Sequence, residues 1–495
     1  MKKFLSVTLS LLLAASMPLS ALAETYDLAQ GSITVEAKAD GNQYVSQTGG
    51  VQQEQQTTET IINQTGSDTA STNNTITIQA EKNQTAQVTI SDVNIDASSE
   101  GKAAISTGGD GSVTVELDGD NTAKSGEGHA GVEKNNGGNL TITDADGDGA
   151  LEAVGGKYGA GIGGGDEQSV SDITINGGDI TAIGGRSGAG IGGGYDGNGS
   201  NITISGSAEV TANGGSSGAG IGGGNSADGR DILIEGDAKV KANGGSSGAG
   251  IGGGHDGSDG SDITIRGNAE VIAIGGNNGA GIGGGCESNG RDILIEGNAK
   301  VEATGKRYGA GIGGGNENRG YDITISGDAQ VKVSGGEWPE GGSAPAIGGD
   351  DNGEIIPNTD GLTTGSITYY APGADKSQDA PEKLLHKDGS GAHTHTGVTL
   401  KSSTAATCLN NATVTYLCSC GTEITTELLN TALGHKMGEY TSNNDATCMA
   451  DGTKTAYCTN PGCTYYVTVT DEGSRNPNKH SLGEYTTNND ATCVA

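Results

Sequence analysis

Histidines and cysteines recur with fixed spacing in the C-terminal part of this sequence. Three histidines each precede a cysteine by 13 residues: His395 with Cys408, His435 with Cys448, and His480 with Cys493. Two more cysteines follow in each of the first two repeats: Cys418 and Cys420, then Cys458 and Cys463. One imidazole and three thiolates are a complete tetrahedral ligand set for zinc. We call these segments the Cys/His repeats; the pattern predicts metal binding over residues 395–495, with the last repeat truncated.

Disulfide bonds are the alternative for these cysteines. Repeats this small have too little apolar core to fold unaided, and either zinc or disulfides would stabilise them. Export would favour disulfides between Cys408 and Cys418 and between Cys448 and Cys458. Three cysteines per repeat cannot all pair within it, however, and a regular histidine has no role in a disulfide. The pattern therefore favours zinc, although a single residue between Cys418 and Cys420 strains tetrahedral geometry. Whether each histidine serves the repeat after it or before it stays open.

A second group of possible ligands is acidic. Asp144, Asp146 and Asp148 alternate with small residues, which is the spacing of a calcium loop whose oxygens surround a hard cation. The twelfth position is Gly155, where an EF-hand carries glutamate. Calcium and a plain acidic turn are both consistent with this segment.

The elements that must position these residues come from a repeat upstream. Gly-Ala-Gly-Ile-Gly-Gly-Gly occurs six times, about every 30 residues, starting at Gly159, Gly188, Gly218, Gly248, Gly279 and Gly309. Each repeat also contains Ile-x-Ile and Ala-x-Val-x-Ala, or close variants of them. A period of this length indicates a solenoid or a propeller. Three short apolar strands and three turns per repeat match one coil of a parallel β-helix.

Charges at one repeat position discriminate between these two folds. Successive repeats carry Glu209, Lys239, Glu270, Lys300 and Gln330 at that position. Stacked coils place equivalent residues about 4.8 Å apart, where opposite charges attract. Adjacent propeller blades would not bring them so close. The sequence therefore predicts an all-β protein, with a right-handed parallel β-helix over residues 73–370.

Two rows of residues are expected to stack along this solenoid. The internal row is Ile162, Ile191, Ile221, Ile251, Ile282, Ile312 and Ile347. The corner row is Asp172, Asn201, Asp231, Asp262, Asp292 and Asp322. Asn and Asp suit such corners because their side chains bond nearby backbone groups.

Shorter segments flank the coils. Lys2-Lys3, an apolar run and Ala21-Leu-Ala23 have the order of a secretory signal peptide over residues 1–23. Residues 24–72 are expected to cap the solenoid, and residues 371–394 to form a linker. No later stretch resembles a transmembrane helix. The sequence predicts an extracellular or cell-surface protein.

The leader, the Gly-Ala-Gly-Ile-Gly-Gly-Gly coils and the C-terminal Cys/His repeats together resemble secreted or surface proteins of Gram-positive anaerobes. The β-helical part of those proteins is described as a carbohydrate-binding domain. Over residues 24–370, this resemblance implies binding of a polysaccharide or attachment to a surface. It assigns no binding residues to this chain. Our first hypothesis is a non-catalytic protein of this kind.

Composition narrows the range of partners. Removing Lys2 and Lys3 lowers the formal charge from −34 to −36, which argues against nucleic acid and anionic membranes. Tyr158, Tyr308 and Trp338 are the candidate sugar-stacking residues. A purely structural stalk and a polysaccharide lyase or hydrolase are the alternatives. Pro357-Asn-Thr-Asp-Gly361 resembles one element of polygalacturonases, but the other elements are reversed in order or missing, so no catalytic residue is expected.

Overall fold

The structure, a computed structural model, describes residues 24–475 except 50–54, 58, 68–69, 257–258, 350–352, 377, 389–390 and 430. The expected signal peptide, His480 and Cys493 lie outside the described residues. The described residues form two compact units: residues 24–400 together with 417–422, and residues 401–416 together with 423–475. The first unit contains the solenoid. It also contains one 3₁₀ turn, Leu28–Gln30.

The coils of the first unit build three long sheets, as a parallel β-solenoid requires. Strands of the first sheet, in spatial order, are Glu24–Asp27, Thr60–Asn63, Thr85–Ser91, Ser112–Asp118, Leu140–Thr143, Ile173–Ile175, Gly199–Ile204, Gly229–Ile234, Gly260–Ile265, Gly290–Ile295 and Gly320–Ile325. This sheet contains the Ile-x-Ile strands. Both isoleucines of each pair are buried, so the alternation predicted from the sequence is confirmed.

The second sheet contains the Ala-x-Val-x-Ala strands. Its strands are Asn94–Asp96, Asp120–Lys124, Ala150–Val154, Asp179–Ile183, Glu209–Asn213, Lys239–Asn243, Glu270–Ile274, Lys300–Thr304, Gln330–Ser334, Ser366–Tyr369, Lys383–Asp388 and Gly391–Thr396. The last two pair antiparallel. Residues 371–394, expected as a linker, therefore contain strands that extend this sheet. Lys383–Asp388 pairs with the edge of Ser366–Tyr369 that no further coil covers.

The third sheet contains the Gly-Ala-Gly-Ile segments. Its strands are Gln55–Thr57, Gln43–Gln47, Ile33–Ala37, Ile76–Ala80, Ile105–Gly108, Val132–Glu133, Ile162–Gly163, Ile191–Gly192, Ile221–Gly222, Ile251–Gly252, Ile282–Gly283, Ile312–Gly313, Ile347–Gly349 and Gly353–Glu354. Parallel pairing already begins at Ile33–Ala37, inside the segment expected as a cap. Antiparallel strands close both ends of this sheet.

Register confirms the predicted rows and ladders. The isoleucines from Ile162 to Ile347 pair directly from coil to coil, and each is fully buried. Glu209 pairs with Lys239, which pairs with Glu270, and the Lys239 ammonium contacts the Glu209 carboxylate. Arg266 contacts Glu235 of the preceding coil at 2.7 Å. Exposed pairs of this kind contribute roughly 0.2–1 kcal/mol each, so they favour the correct register more than they stabilise the fold.

The Asp and Asn corner row has left-handed backbone. All six residues from Asp172 to Asp322 have φ between 47° and 62°. Asn and Asp tolerate this region better than most residues. The left-handed backbone therefore favours Asn and Asp at these positions, in addition to the local hydrogen bonding expected from the sequence.

Two further sheets lie in the C-terminal part. One is formed by Thr399–Thr404, Thr413–Leu417 and Glu423–Glu427, and the other by Thr441–Ser442, Gly452–Tyr457 and Tyr466–Asp471. They belong to the two Cys/His repeats that the structure describes.

Glycine is required where the third sheet stacks. Gly222 has φ 130°, and a Cβ atom there would lie 2.1 Å from the carbonyl oxygen of Gly252 in the next coil. We predict that Gly222→Ala destabilises the solenoid by about 3 kcal/mol or more, because backbone strain and overpacking act together. Denaturant unfolding of the purified protein measures this loss.

Gly101→Ala is the matched control. Gly101 also has positive φ, 59°, but a Cβ atom there would meet nothing within 4 Å. Gly101→Ala should lower the free energy of unfolding by only about 1–2 kcal/mol, the cost of left-handed backbone for a residue with a Cβ atom. Equal losses in the two variants would contradict close backbone stacking at Gly222.

Candidate functional sites

The two described Cys/His repeats have the same local framework. Thr396, the residue after His395, accepts a hydrogen bond at its carbonyl from the Ser419 hydroxyl at 3.0 Å. Lys436, the residue after His435, accepts the equivalent bond from the Thr459 hydroxyl at 2.9 Å. In each repeat, the donor directly follows the second cysteine. This bond holds the histidine beside the second and third cysteines.

The first metal-ligand group lies in the first unit and contains His395, Cys418 and Cys420. Their ligand atoms all lie within 4.8 Å of one another. The Nδ1 atom of His395 is 3.1 Å from the Cys420 sulfur, and the His395 side chain is buried. Hydrogen bonds with Cys418 and Thr422 lower the pKa of the Cys420 thiol to about 6. The single-residue spacing of the two cysteines, which the sequence marked as strained, brings both sulfurs to the histidine.

The second group lies in the second unit and contains Cys408, His435, Cys458 and Cys463. The sulfurs of Cys408 and Cys458 are 3.8 Å apart, and the Nδ1 atom of His435 is 3.3 Å from the Cys463 sulfur. Tetrahedral zinc with Zn–S bonds of about 2.3 Å would place two sulfurs about 3.8 Å apart. The donors and their spacing therefore fit a four-coordinate metal.

Neighbouring groups fix the ligands of the second site. The His435 ring stacks on Tyr465, with ring centroids 3.9 Å apart and an interplanar angle of 19°. The Asn460 side-chain amide donates to the Cys408 sulfur at 3.3 Å and to the Gly434 carbonyl at 2.8 Å. Outer contacts of this kind orient metal ligands.

Cys448 belongs to neither group among the described residues. The seven described cysteines are free thiols, so neither of the disulfides considered from the sequence is present in the structure. The sequence left open which repeat each histidine serves. In the structure, His435 lies beside two cysteines that follow it, Cys458 and Cys463, and one that precedes it, Cys408.

The acidic group differs from the predicted calcium loop. Asp144 and Asp146 come within 4.8 Å of Glu116, which lies on the strand Ser112–Asp118, and Asp148 is outside this group. The Asp144 carboxylate accepts the amides of Gly147 and Gly149, and Glu116 accepts the amide of Ala145. The charge of Asp148, above all, raises the pKa of Asp146. These carboxylates already hold the turn together, and calcium binding stays a prediction.

The three predicted sugar-stacking residues occupy two regions of the solenoid. Tyr158 packs against Tyr195 of the next coil, with ring centroids 5.7 Å apart, and the Lys157 ammonium lies 4.4 Å from the Tyr158 ring centroid. The Tyr308 hydroxyl donates to Glu340 at 3.5 Å, in the turn that carries Trp338. Tyr308 and Trp338 are thus neighbours, whereas Tyr158 lies five coils away, about 24 Å along the stack.

A cavity of about 400 Å³ lies beside this turn. Its lining includes Trp338, Glu354, Tyr369, Tyr370, Glu382 and Lys383. One face of the Trp338 ring packs against Gly342, where a Cβ atom would come within 2.8 Å of the indole. The indole N–H of Trp338 is buried without a hydrogen-bond partner in the structure.

Charged groups surround the aromatic residues of this cavity. The Lys383 ammonium lies 4.4 Å from the Tyr369 ring centroid, which leaves Trp338 as the better candidate for stacking. Desolvation raises the pKa of Glu354, whose carboxylate also accepts the amide of Ala346 at 2.9 Å. The sequence indicated Trp338 but not the other lining residues. Glu382 and Lys383 fall in the segment expected as a linker. The adjacent aromatic residues Tyr369 and Tyr370 were the one feature of the sequence that could have indicated this cavity.

Comparison with known proteins agrees with the fold. Five segments match the family model described as "Beta helix repeat": residues 173–195, 202–225, 232–255, 263–286 and 293–316. They cover well under half of the chain, and each runs from an Ile-x-Ile strand to the turn after Gly-Gly-Gly. No curated protein and no solved structure matches the chain. The chain is similar to β-helix repeat proteins. Within the described residues, no helix has the length and apolar character needed to cross a membrane.

Proposed function

We propose that this protein is an extracellular, non-catalytic β-solenoid that binds a polysaccharide through the cavity beside Trp338. The observation that carries the proposal is the unpaired indole N–H of Trp338, a residue that lines this cavity. An unsatisfied buried donor costs roughly 1–3 kcal/mol, and a sugar hydroxyl that reached it and accepted a hydrogen bond would recover part of that cost. Export through the expected signal peptide would place the site outside the cell, where polysaccharides are found.

The lining of the cavity suits a sugar. Its volume falls within the range of about 300–1,000 Å³ that is typical of small-ligand sites. Trp338 supplies an apolar ring, while Glu382 and Lys383 supply polar groups for hydroxyls. The formal charge of −36, after the two leader lysines are removed from −34, would repel bare polyanions. We therefore propose an uncharged glycan, or an acidic one bridged by a cation, as the ligand.

Acidic residues that could serve as catalytic groups lie in turns of the solenoid. The corner row from Asp172 to Asp322 occupies left-handed turns. In the polygalacturonase-like element, Asn358 bridges to Thr324, and its side chain accepts the amide of Asp360 at 3.0 Å. These contacts support a turn, and they favour a binding protein over the alternative of a lyase or hydrolase.

Substitution of Trp338 tests this function. We expect Trp338→Ala to weaken glycan binding about tenfold or more, the equivalent of ~1.4 kcal/mol, because the ring and its N–H are both removed. Affinity for a panel of neutral polysaccharides is measured by calorimetry on the mature chain. Tyr158→Ala, at the remote aromatic pair, is the matched control and should bind within about twofold of wild type.

Two outcomes would contradict the proposal. Unchanged binding by Trp338→Ala would exclude the cavity as the site. Release of unsaturated or reducing products by the wild-type chain would favour the enzyme alternative.

We further propose that the Cys/His repeats bind zinc as a structural metal. The Cys408–Cys458 sulfur separation of 3.8 Å favours this role. Three thiolates and one imidazole form a closed zinc site that supplies folding free energy directly. Such a site would stabilise modules that contain little apolar core.

Zinc should protect the tail against unfolding. We expect chelation of the reduced mature chain to expose residues 401–475 to protease within minutes, and zinc, but not magnesium, to restore resistance. Peptide mapping by mass spectrometry identifies the cleaved segments, and the solenoid peptides serve as the internal control. Native secreted protein that carries Cys408–Cys418 and Cys448–Cys458 disulfides and no metal would contradict this role.

A further inference from the structure

We infer that the metal at the second site joins two consecutive Cys/His repeats, with Cys408 of the first repeat as its fourth ligand. This inference rests on the proposed zinc role and extends it. The metal would then act as a crosslink between repeats, in addition to stabilising a single one.

Cys408 and Cys448 occupy the same turn in their respective repeats. The amide of Thr407 donates to Asn410, and that of Thr447 donates to Ala450, at 2.9 and 3.0 Å. The Thr407 hydroxyl accepts the amides of the two residues after Cys408, and the Thr447 hydroxyl does the same after Cys448. Both cysteines are half-buried. The two positions therefore differ in what surrounds them rather than in local structure.

Only Cys408 reaches the ligands of the second repeat. The amide of Leu433, two residues before His435, donates to the Thr407 carbonyl at 2.8 Å. On the other side, Asn460 links the Cys408 sulfur to the Gly434 carbonyl. These contacts hold the turn of the first repeat against the segment that enters the second. Cys448 lies within the second repeat itself, between His435 and Cys458, yet it is not among the four ligands.

The pattern makes the two sites unequal. The described group at His395 offers three ligands, whereas the group at His435 offers four, of which one comes from the preceding repeat. A four-ligand site is closed to solvent ligands, and a three-ligand site leaves one position for water or another donor. Metal binding at His435 would thus reduce the freedom of one repeat relative to the next.

Cysteine alkylation of the full mature chain tests this assignment, because each thiol is observed separately. Reduced wild type, Cys408→Ser and Cys448→Ser are loaded with zinc and treated with N-ethylmaleimide, and peptides are quantified by mass spectrometry. In Cys408→Ser, alkylation of Cys458 and Cys463 should accelerate about tenfold or more, since even loss of an outer contact costs 10–100-fold in metal affinity. In Cys448→Ser, both rates should stay within twofold of wild type. Equal acceleration in the two variants, or none in Cys408→Ser, would overturn the inference.

A chelator arm separates metal binding from folding. Without zinc, N-ethylmaleimide should alkylate Cys458 and Cys463 at the same rate in all three proteins. If Cys408→Ser still accelerates alkylation without zinc, the effect comes from lost packing, and the assignment is overturned. Wild type that gains no protection from zinc would refute the zinc role itself. A different outcome would be zinc that protects Cys458 and Cys463 in wild type but not in Cys448→Ser. That outcome would refute only the sharing of the metal between repeats and would leave the zinc role intact.

Discussion

Close stacking of bare backbone in the third sheet is the constraint on which the rest of the solenoid depends. Six glycines, from Gly163 to Gly313, have φ between 125° and 138°, and a Cβ atom on any of them would lie 2.0–2.2 Å from a carbonyl oxygen of the next coil. Because a glycine follows each isoleucine of the internal row, consecutive coils can approach closely there while the isoleucines stay buried. All three sheets then stack isoleucine, valine and alanine in a core that needs almost no large aromatic residues.

A solenoid built in this way has little freedom to vary within its coils, and variation is tolerated at its turns and ends. The tyrosine pair at Tyr158 occupies turns, and the cavity beside Trp338 forms where the regular repeat gives way to a longer turn. The candidate sugar-stacking residues thus lie where the glycine constraint is relaxed. The Cys/His repeats follow a different principle, since they have few buried apolar residues and bring their ligands together through turns and hydrogen bonds.

Much of the fold could be predicted from the sequence because period and alternation record backbone geometry directly. The isoleucine row and the charge ladder required only equal spacing, and both were found in register. A second left-handed row, Glu167, Asp196, Ser226, Asp256, Glu287 and Glu317, was not predicted, because Glu and Ser carry no preference for that conformation. The sequence also could not show which cysteine completes the group at His435, since Cys408 and Cys448 have the same local sequence and only tertiary contacts distinguish them. Glu116 belongs to the acidic group although it lies on an adjacent strand, and residue spacing within one loop cannot predict a ligand from another strand.

Hydrogen exchange of the glycine-rich segments tests the central claim most directly. The amides of Gly220, Ile221 and Gly223 each donate to a carbonyl of the next coil at 3.0 Å, so a segment of mostly glycine should be rigid. The account predicts that peptides spanning residues 218–224 exchange as slowly as the Ile-x-Ile strand at 229–234, within about tenfold, because both open only with the coils around them. Exchange of the glycine segments within seconds, while the isoleucine strands remain protected, would contradict it.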